Sequence, residues 1–203
     1  MKTIGQIIHQ PQESKGLTKQ PTSSVALREK MVARYGSREG LLQKANPSKQ
    51  HWVANNTNEA FFGDFPTLGQ LRSLGDNTPI MWLIPQLVNL SEYCGAKNKL
   101  SSEQLEDLAS VISTEFYFLK ISELMLFFHY FKAGRYGEFY GSIDPITITK
   151  AIRRFVKERG HVIDEHERAE KRKRLEQYAA EAVTWEEYKA THPVTNETNP
   201  FER

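Results

Sequence analysis

One cysteine, Cys94, stands among the 203 residues of this chain. A single thiol excludes an internal disulfide and a multi-cysteine zinc site, and it suits a reducing compartment. Long apolar runs are missing as well. The longest, such as residues 124–128, are far too short to cross a bilayer, and Met1-Lys2-Thr3-Ile4 lacks the apolar stretch of a signal peptide, so a cytoplasmic protein is expected. There is no excess of one charge: 27 Lys and Arg face 25 Asp and Glu, and any attraction to nucleic acid must therefore come from a local patch. Strand signals are almost absent. Residues 142–149 alone are β-like in composition, and Asp144-Pro145 within them reads as a helix start.

Catalytic signatures are lacking too. No Gly-x-Ser-x-Gly elbow occurs, no evident acid–base pair, and no glycine loop followed by Lys-Ser/Thr. His161 and Glu165 are spaced to share a helix face, but His161 and His166 point about 140° apart, which is not the two-histidine zinc spacing. His129 reads as a packing residue and Cys94 as a small core residue. No catalytic residue, cofactor or metal is expected, and the chain is not read as an enzyme.

What is present is helical periodicity. Ile121, Leu124, Met125, Phe128 and Phe131 recur at helical spacing, which predicts an amphipathic helix over residues 121–132, stopped by Gly134. Upstream, Leu68, Leu71 and Leu74 follow a Thr67 cap. Ile80, Leu83, Ile84, Leu87 and Leu90 form a stripe with Pro85 inside it. Leu105, Leu108, Ala109, Ile112 and Phe116 follow a Ser101 or Ser102 cap. Asp144-Pro145 then opens a helical pattern that can run to Val183, with Gly160 its one weak point. These elements predict an all-α protein: a compact bundle of about five helices, a long charged C-terminal helix and flexible terminal arms. Residues 1–60 are polar and read as a mostly flexible arm with one short helix over 25–35. Residues 61–160 form the helical core, 161–191 a charged helical extension, and 192–203 a disordered tail.

Two features stand out as binding candidates. The first is the segment 132–140, where Lys132 and Arg135 interleave with Tyr136, Phe139 and Tyr140 among glycines. Aromatics beside cations anchor a protein partner or stack on unpaired bases, and equally they can fold back to close a helical core. The second is the helix after Pro145. Ile148, Ile152, Phe155, Val156 and Ile163 fall on one side, while Lys150, Arg153, Arg154 and Lys157 fall within about a 100° arc on the other. Like charges at that spacing repel, so the arrangement suits contact with nucleic-acid phosphates or an acidic partner, extended by Arg168, Lys171 and Arg172; a plain solvated face is the other reading. Asp164 and Glu165 interrupt the stripe.

The run Tyr117-Phe118-Leu119-Lys120-Ile121-Ser122-Glu123-Leu124-Met125-Leu126-Phe127-Phe128, with Phe131-Lys132-Ala133-Gly134-Arg135-Tyr136-Gly137-Glu138-Phe139-Tyr140-Gly141-Ser142-Ile143-Asp144-Pro145 after it, resembles a largely uncharacterised family of small helical proteins. Phages and mobile elements of gut bacteria encode that family. The resemblance covers roughly residues 67–159 and leaves out the N-terminal arm and the tail after Gly160. In layout the chain is also similar to phage helicase loaders, helical domains with charged extensions, although no Walker-type ATP site is present. These resemblances imply a non-enzymatic adaptor in phage or mobile-element DNA replication, such as an ATP-independent helicase loader or primosome-like accessory. Its partner would be a replicative helicase or another replication protein. A direct nucleic-acid-binding regulator, or a structural or defence-related interaction module, are the alternatives.

Overall fold

The structure is a computed structural model and describes residues 23–94, 99–137, 144–182 and 185–191. Among the described residues every element longer than an isolated bridge is a helix, so the chain is all-α, as its periodicity predicts. It divides into two compact units, Met1–Thr149 and Lys150–Arg203.

The first unit is arranged around α8 (Ile121–Lys132). Every residue from 121 to 128 is buried, so this helix is enclosed on all sides and is not amphipathic with one apolar side. A helix apolar nearly all round needs neighbours all round; α3 (Gln50–Asn55), α4 (Thr57–Phe62) and α6 (Thr78–Tyr93) supply them. The two polar residues inside the run are satisfied. Ser122 Oγ donates to the Ala60 carbonyl at 2.8 Å, and Glu123 Oε2 accepts from the Lys120 amide at 2.9 Å. The Lys120 ammonium donates to the Phe61 and Gly63 carbonyls at 2.8 and 2.9 Å, tying the end of α4 to the start of α8.

Short α5 (Leu68–Leu71) begins where the sequence places it, on a capping box between Thr67 and Gln70. Its amides at Leu68 and Gly69 donate to the Leu119 and Tyr117 carbonyls at 2.9 and 2.8 Å, so a helix start that needs acceptors finds them in the approach to α8. The helix α6 starts at Thr78 and continues through Pro85. It packs against α7 (Ser102–Glu115), which opens on a second capping box, Ser101 with Gln104.

The expected flexible arm is corrected from residue 23 onward. In place of one short helix there are α1 (Ser23–Tyr35), α2 (Arg38–Lys44), a 3₁₀ turn over Pro47–Lys49, α3 and α4. Met31, Tyr35, Leu41, Ala45, Val53 and Ala60 are all buried. Apolar residues are sparse here, but roughly one per turn faces inward, and the turns are capped by Ser37 and Asn46. Partners distant in sequence complete the packing: the Trp82 indole and the Gln86 amide both donate to the Ala45 carbonyl, at 2.8 and 3.1 Å. The expected disordered tail, residues 192–203, lies outside the described residues, as do residues 1–22.

The second unit holds most of α9 (Pro145–Glu181) and α10 (Trp185–Thr191). At 37 residues α9 is about 55 Å long and continues unbroken through Gly160. Asp144 caps it as expected: its carboxylate accepts from the Thr147 amide at 2.8 Å and from the Thr147 hydroxyl at 2.6 Å. Ile148, Ala151, Ile152 and Phe155 are buried on one side, whereas Val156 and Ile163 are half-buried. Beyond residue 170 the described side chains of α9 are exposed.

Candidate functional site

The segment after α8 is fixed by its stop. Gly134 sits at φ +78°, with its amide donating to the Phe131 carbonyl at 3.0 Å and the Arg135 amide to the Tyr130 carbonyl at 3.1 Å. This is a Schellman turn, and it requires a left-handed residue where Gly134 stands. The turn sends Tyr136 back onto the core. Tyr136 is 7% exposed, and its ring lies 5.6 Å from that of Phe127. Tyr136 therefore closes the core and does not offer itself to a partner, which corrects the expectation for that residue.

Lys132 is corrected in the same way. Its ammonium donates to Gln50 Oε1 at 2.8 Å and to Asn89 Oδ1, and lies 5.5 Å over the Tyr93 ring. Gln50 in turn donates to Gln86 Oε1 at 2.6 Å. The result is a polar seam joining α3, α6 and α8, with both glutamines buried. Burial pushes the Lys132 ammonium below the usual lysine range, with Cys94 opposing the shift; burial likewise raises the half-buried Cys94 thiol, with Lys132 opposing. Nothing in the sequence pattern marks Gln50, Gln86 or Asn89 as partners of Lys132, because they come from helices far apart in the chain.

Of the three described candidates in this segment, Lys132, Arg135 and Tyr136, Arg135 alone is exposed, its guanidinium 4.5 Å over the Tyr130 ring. Phe139 and Tyr140 lie outside the described residues.

The helix α9 keeps the second candidate set together. Lys150, Arg153, Arg154 and Lys157 are all exposed, on the side of the helix away from buried Ala151, Ile152 and Phe155. Among the described residues no carboxylate forms an ion pair with Lys150, Arg153 or Lys157; Arg154 does have an interaction within the chain. Because α9 continues, the pattern recurs. Arg168, Lys171 and Arg172 follow Lys150, Arg153 and Arg154 by about five turns, roughly 27 Å, and so return to the same side of the helix. All three are exposed. A row of this kind can hold phosphates or carboxylates, and it provides neither a nucleophile nor a proton-transfer pair.

Among the described residues there is no group of three or more His, Cys, Asp or Glu side chains able to hold a metal, and no helix long and apolar enough to cross a membrane. Residues 99–199 match the model of a family described as a family of unknown function (DUF6633). The match starts later than the resemblance suggested and runs on through the charged half of α9, so both candidate segments lie inside it. No curated protein and no solved structure matches the chain.

Proposed function

We propose that the chain is a non-enzymatic adaptor that docks a polyanionic partner along α9. One observation carries this reading: the row of Lys150, Arg153, Arg154 and Lys157 stands in solvent opposite a buried edge, and it recurs at Arg168, Lys171 and Arg172. Like charges at these spacings repel one another, so as a device for stability alone the arrangement is unfavourable. An acidic protein surface removes that repulsion. Asp164 and Glu165 break the row and favour a protein partner with matching interruptions over a uniform phosphate backbone.

The resemblance to small helical proteins of phages and mobile elements, and a layout similar to that of phage helicase loaders, support a role in DNA replication, in the cytoplasm, with a replicative helicase or another replication protein as partner. Arg135, with Phe139 and Tyr140, would add a second contact. Direct binding to nucleic acid is the second reading, favoured by the length of the row.

A salt titration separates them. A direct binder retards duplex or single-stranded DNA at about 0.1 M salt and weakens steeply as salt rises. An adaptor leaves DNA unshifted and co-purifies with a replication protein instead. In either case Lys150→Glu, Arg153→Glu and Lys157→Glu together abolish the complex while leaving the fold intact. A complex that survives this triple variant overturns the assignment of the α9 face.

A further inference from the structure

The first unit carries a cavity of about 280 Å³ whose chemistry is one-sided. Three cations line it, Arg34, Lys44 and Lys49, and none of the described lining residues is acidic. Tyr35, Trp52 and Phe65 provide aromatic walls, and Val53, Ile121 and Met125 aliphatic ones. The Arg34 guanidinium lies 5.1 Å over the Phe65 ring and 5.4 Å over the Tyr35 ring, and the Lys44 ammonium 6.0 Å over the Tyr35 ring.

One observation shows that the cavity has room for an occupant. Trp52 is 48% exposed, although it belongs to a helix whose Val53 is 2% exposed. The Tyr35 hydroxyl, in a residue only 6% exposed, is shut off from solvent beside Arg34, so the ring of Tyr35 and not its hydroxyl is offered to an occupant. Burial raises the Tyr35 pKa, with the charge and hydrogen bond of Arg34 opposing and Asp64 adding to the rise.

Hydrogen-bonding capacity selects the class of ligand. Arg, Lys and the Trp indole are donors only. Three carbonyl acceptors of the wall are already engaged: Ala45 accepts from Trp82 and Gln86, Arg34 from Lys44 at 2.7 Å, and Trp52 from Asn56 at 2.8 Å. Of the cations, Arg34 is answered by Asp64, 3.7 Å away, while the Lys49 ammonium has no partner among the described residues. What fits is a head group that only accepts, joined to an apolar body. A nucleobase, with donors as well as acceptors along its edge, would leave its own donors unanswered. The volume lies just below the roughly 300–1,000 Å³ typical of ligand sites and suits one amino-acid side chain with its neighbouring carboxylate. Arg34 and Phe65 also line a second cavity of about 240 Å³, where Asp64 pairs with Lys30 at 3.0 Å, so the unanswered positive charge is confined to the Lys44 and Lys49 side.

We propose that this cavity docks an acidic peptide, an extended segment of a partner protein that places an aromatic side chain against Trp52 and Phe65 and the adjoining carboxylates on Lys44 and Lys49. The site is separate from the α9 face and does not depend on it.

Isothermal titration of the full chain with acetyl-Asp-Glu-Phe-Asp-amide tests it, beside acetyl-Asn-Gln-Phe-Asn-amide, acetyl-Asp-Glu-Ala-Asp-amide and a twelve-residue oligothymidylate. The acidic aromatic peptide binds at least tenfold tighter than either peptide control. Lys49→Glu and Trp52→Ala, both at exposed positions, each weaken it about tenfold or more with an unchanged melting temperature. No measurable binding, equal binding of all three peptides, binding that survives both variants, or displacement of the peptide by the oligonucleotide overturns the proposal.

Discussion

The helices α8 and α9 carry cations and apolar residues at similar helical spacings, yet they use them in opposite ways. On α8 every residue from 121 to 128 is buried, and the lysine at its end, Lys132, is held by amide oxygens from α3 and α6. On α9 the fully buried residues are confined to one edge of the first turns, and Lys150, Arg153 and Lys157 face water. A basic residue is available to a partner only when the fold has not already given it acceptors. Charge and spacing alone do not distinguish the two cases; the neighbours do.

The contrast is most exposed to failure in the core. Phe128→Ala empties a fully buried site on α8 and is expected to cost about 3–5 kcal/mol of unfolding free energy in a denaturant titration. Arg153→Ala on α9 should stay within about 0.5 kcal/mol. Equal costs would erase the distinction between the two helices. A smaller effect sharpens it at the end of α8. Tyr136→Ala is expected to destabilise the chain by about 2–4 kcal/mol, because the ring packs on Phe127; a variant of native stability would return Tyr136 to the list of surface contacts. Gly134→Ala comes next, at roughly 1 kcal/mol, since an alanine there must keep a left-handed backbone although no neighbour crowds its methyl group.

The smallest effect is a pH dependence at His129. Burial lowers its pKa from 6.5 in the folded chain, with His51 and Lys132 acting in the same direction. As pH falls through about 6.5 the unfolded chain takes up the proton first, so the stability this group contributes is complete above that pH. It declines toward the lower folded pKa. Urea midpoints measured between about pH 5 and 8 should rise with pH, and His129→Gln should flatten that rise.

Local signals in the chain are faithful where the controlling atoms are near neighbours. Thr67 and Ser101 cap α5 and α7, Gly134 stops α8, and Asp144 starts α9. The cationic face of α9 is legible for the same reason, since one helix holds all of its members. The polar stretch over residues 38–62 is misleading: its apolar residues are too few to announce a core, and Trp82, Gln86 and α8 complete it from elsewhere. The cavity beside Tyr35 was hidden for a related reason, because its walls come from α1, α2, α3, Phe65 and α8.

By itself, then, the sequence determined the helices from Thr67 onward, most of their ends and the side of α9 that carries charge, since each depends on residues three or four apart along one helix. Tertiary structure alone decided that α8 is enclosed, that Lys132 and Tyr136 face inward, and that cations and aromatics from distant helices surround one cavity. Burial is a property of what arrives from far along the chain, and no local pattern of residues specifies that.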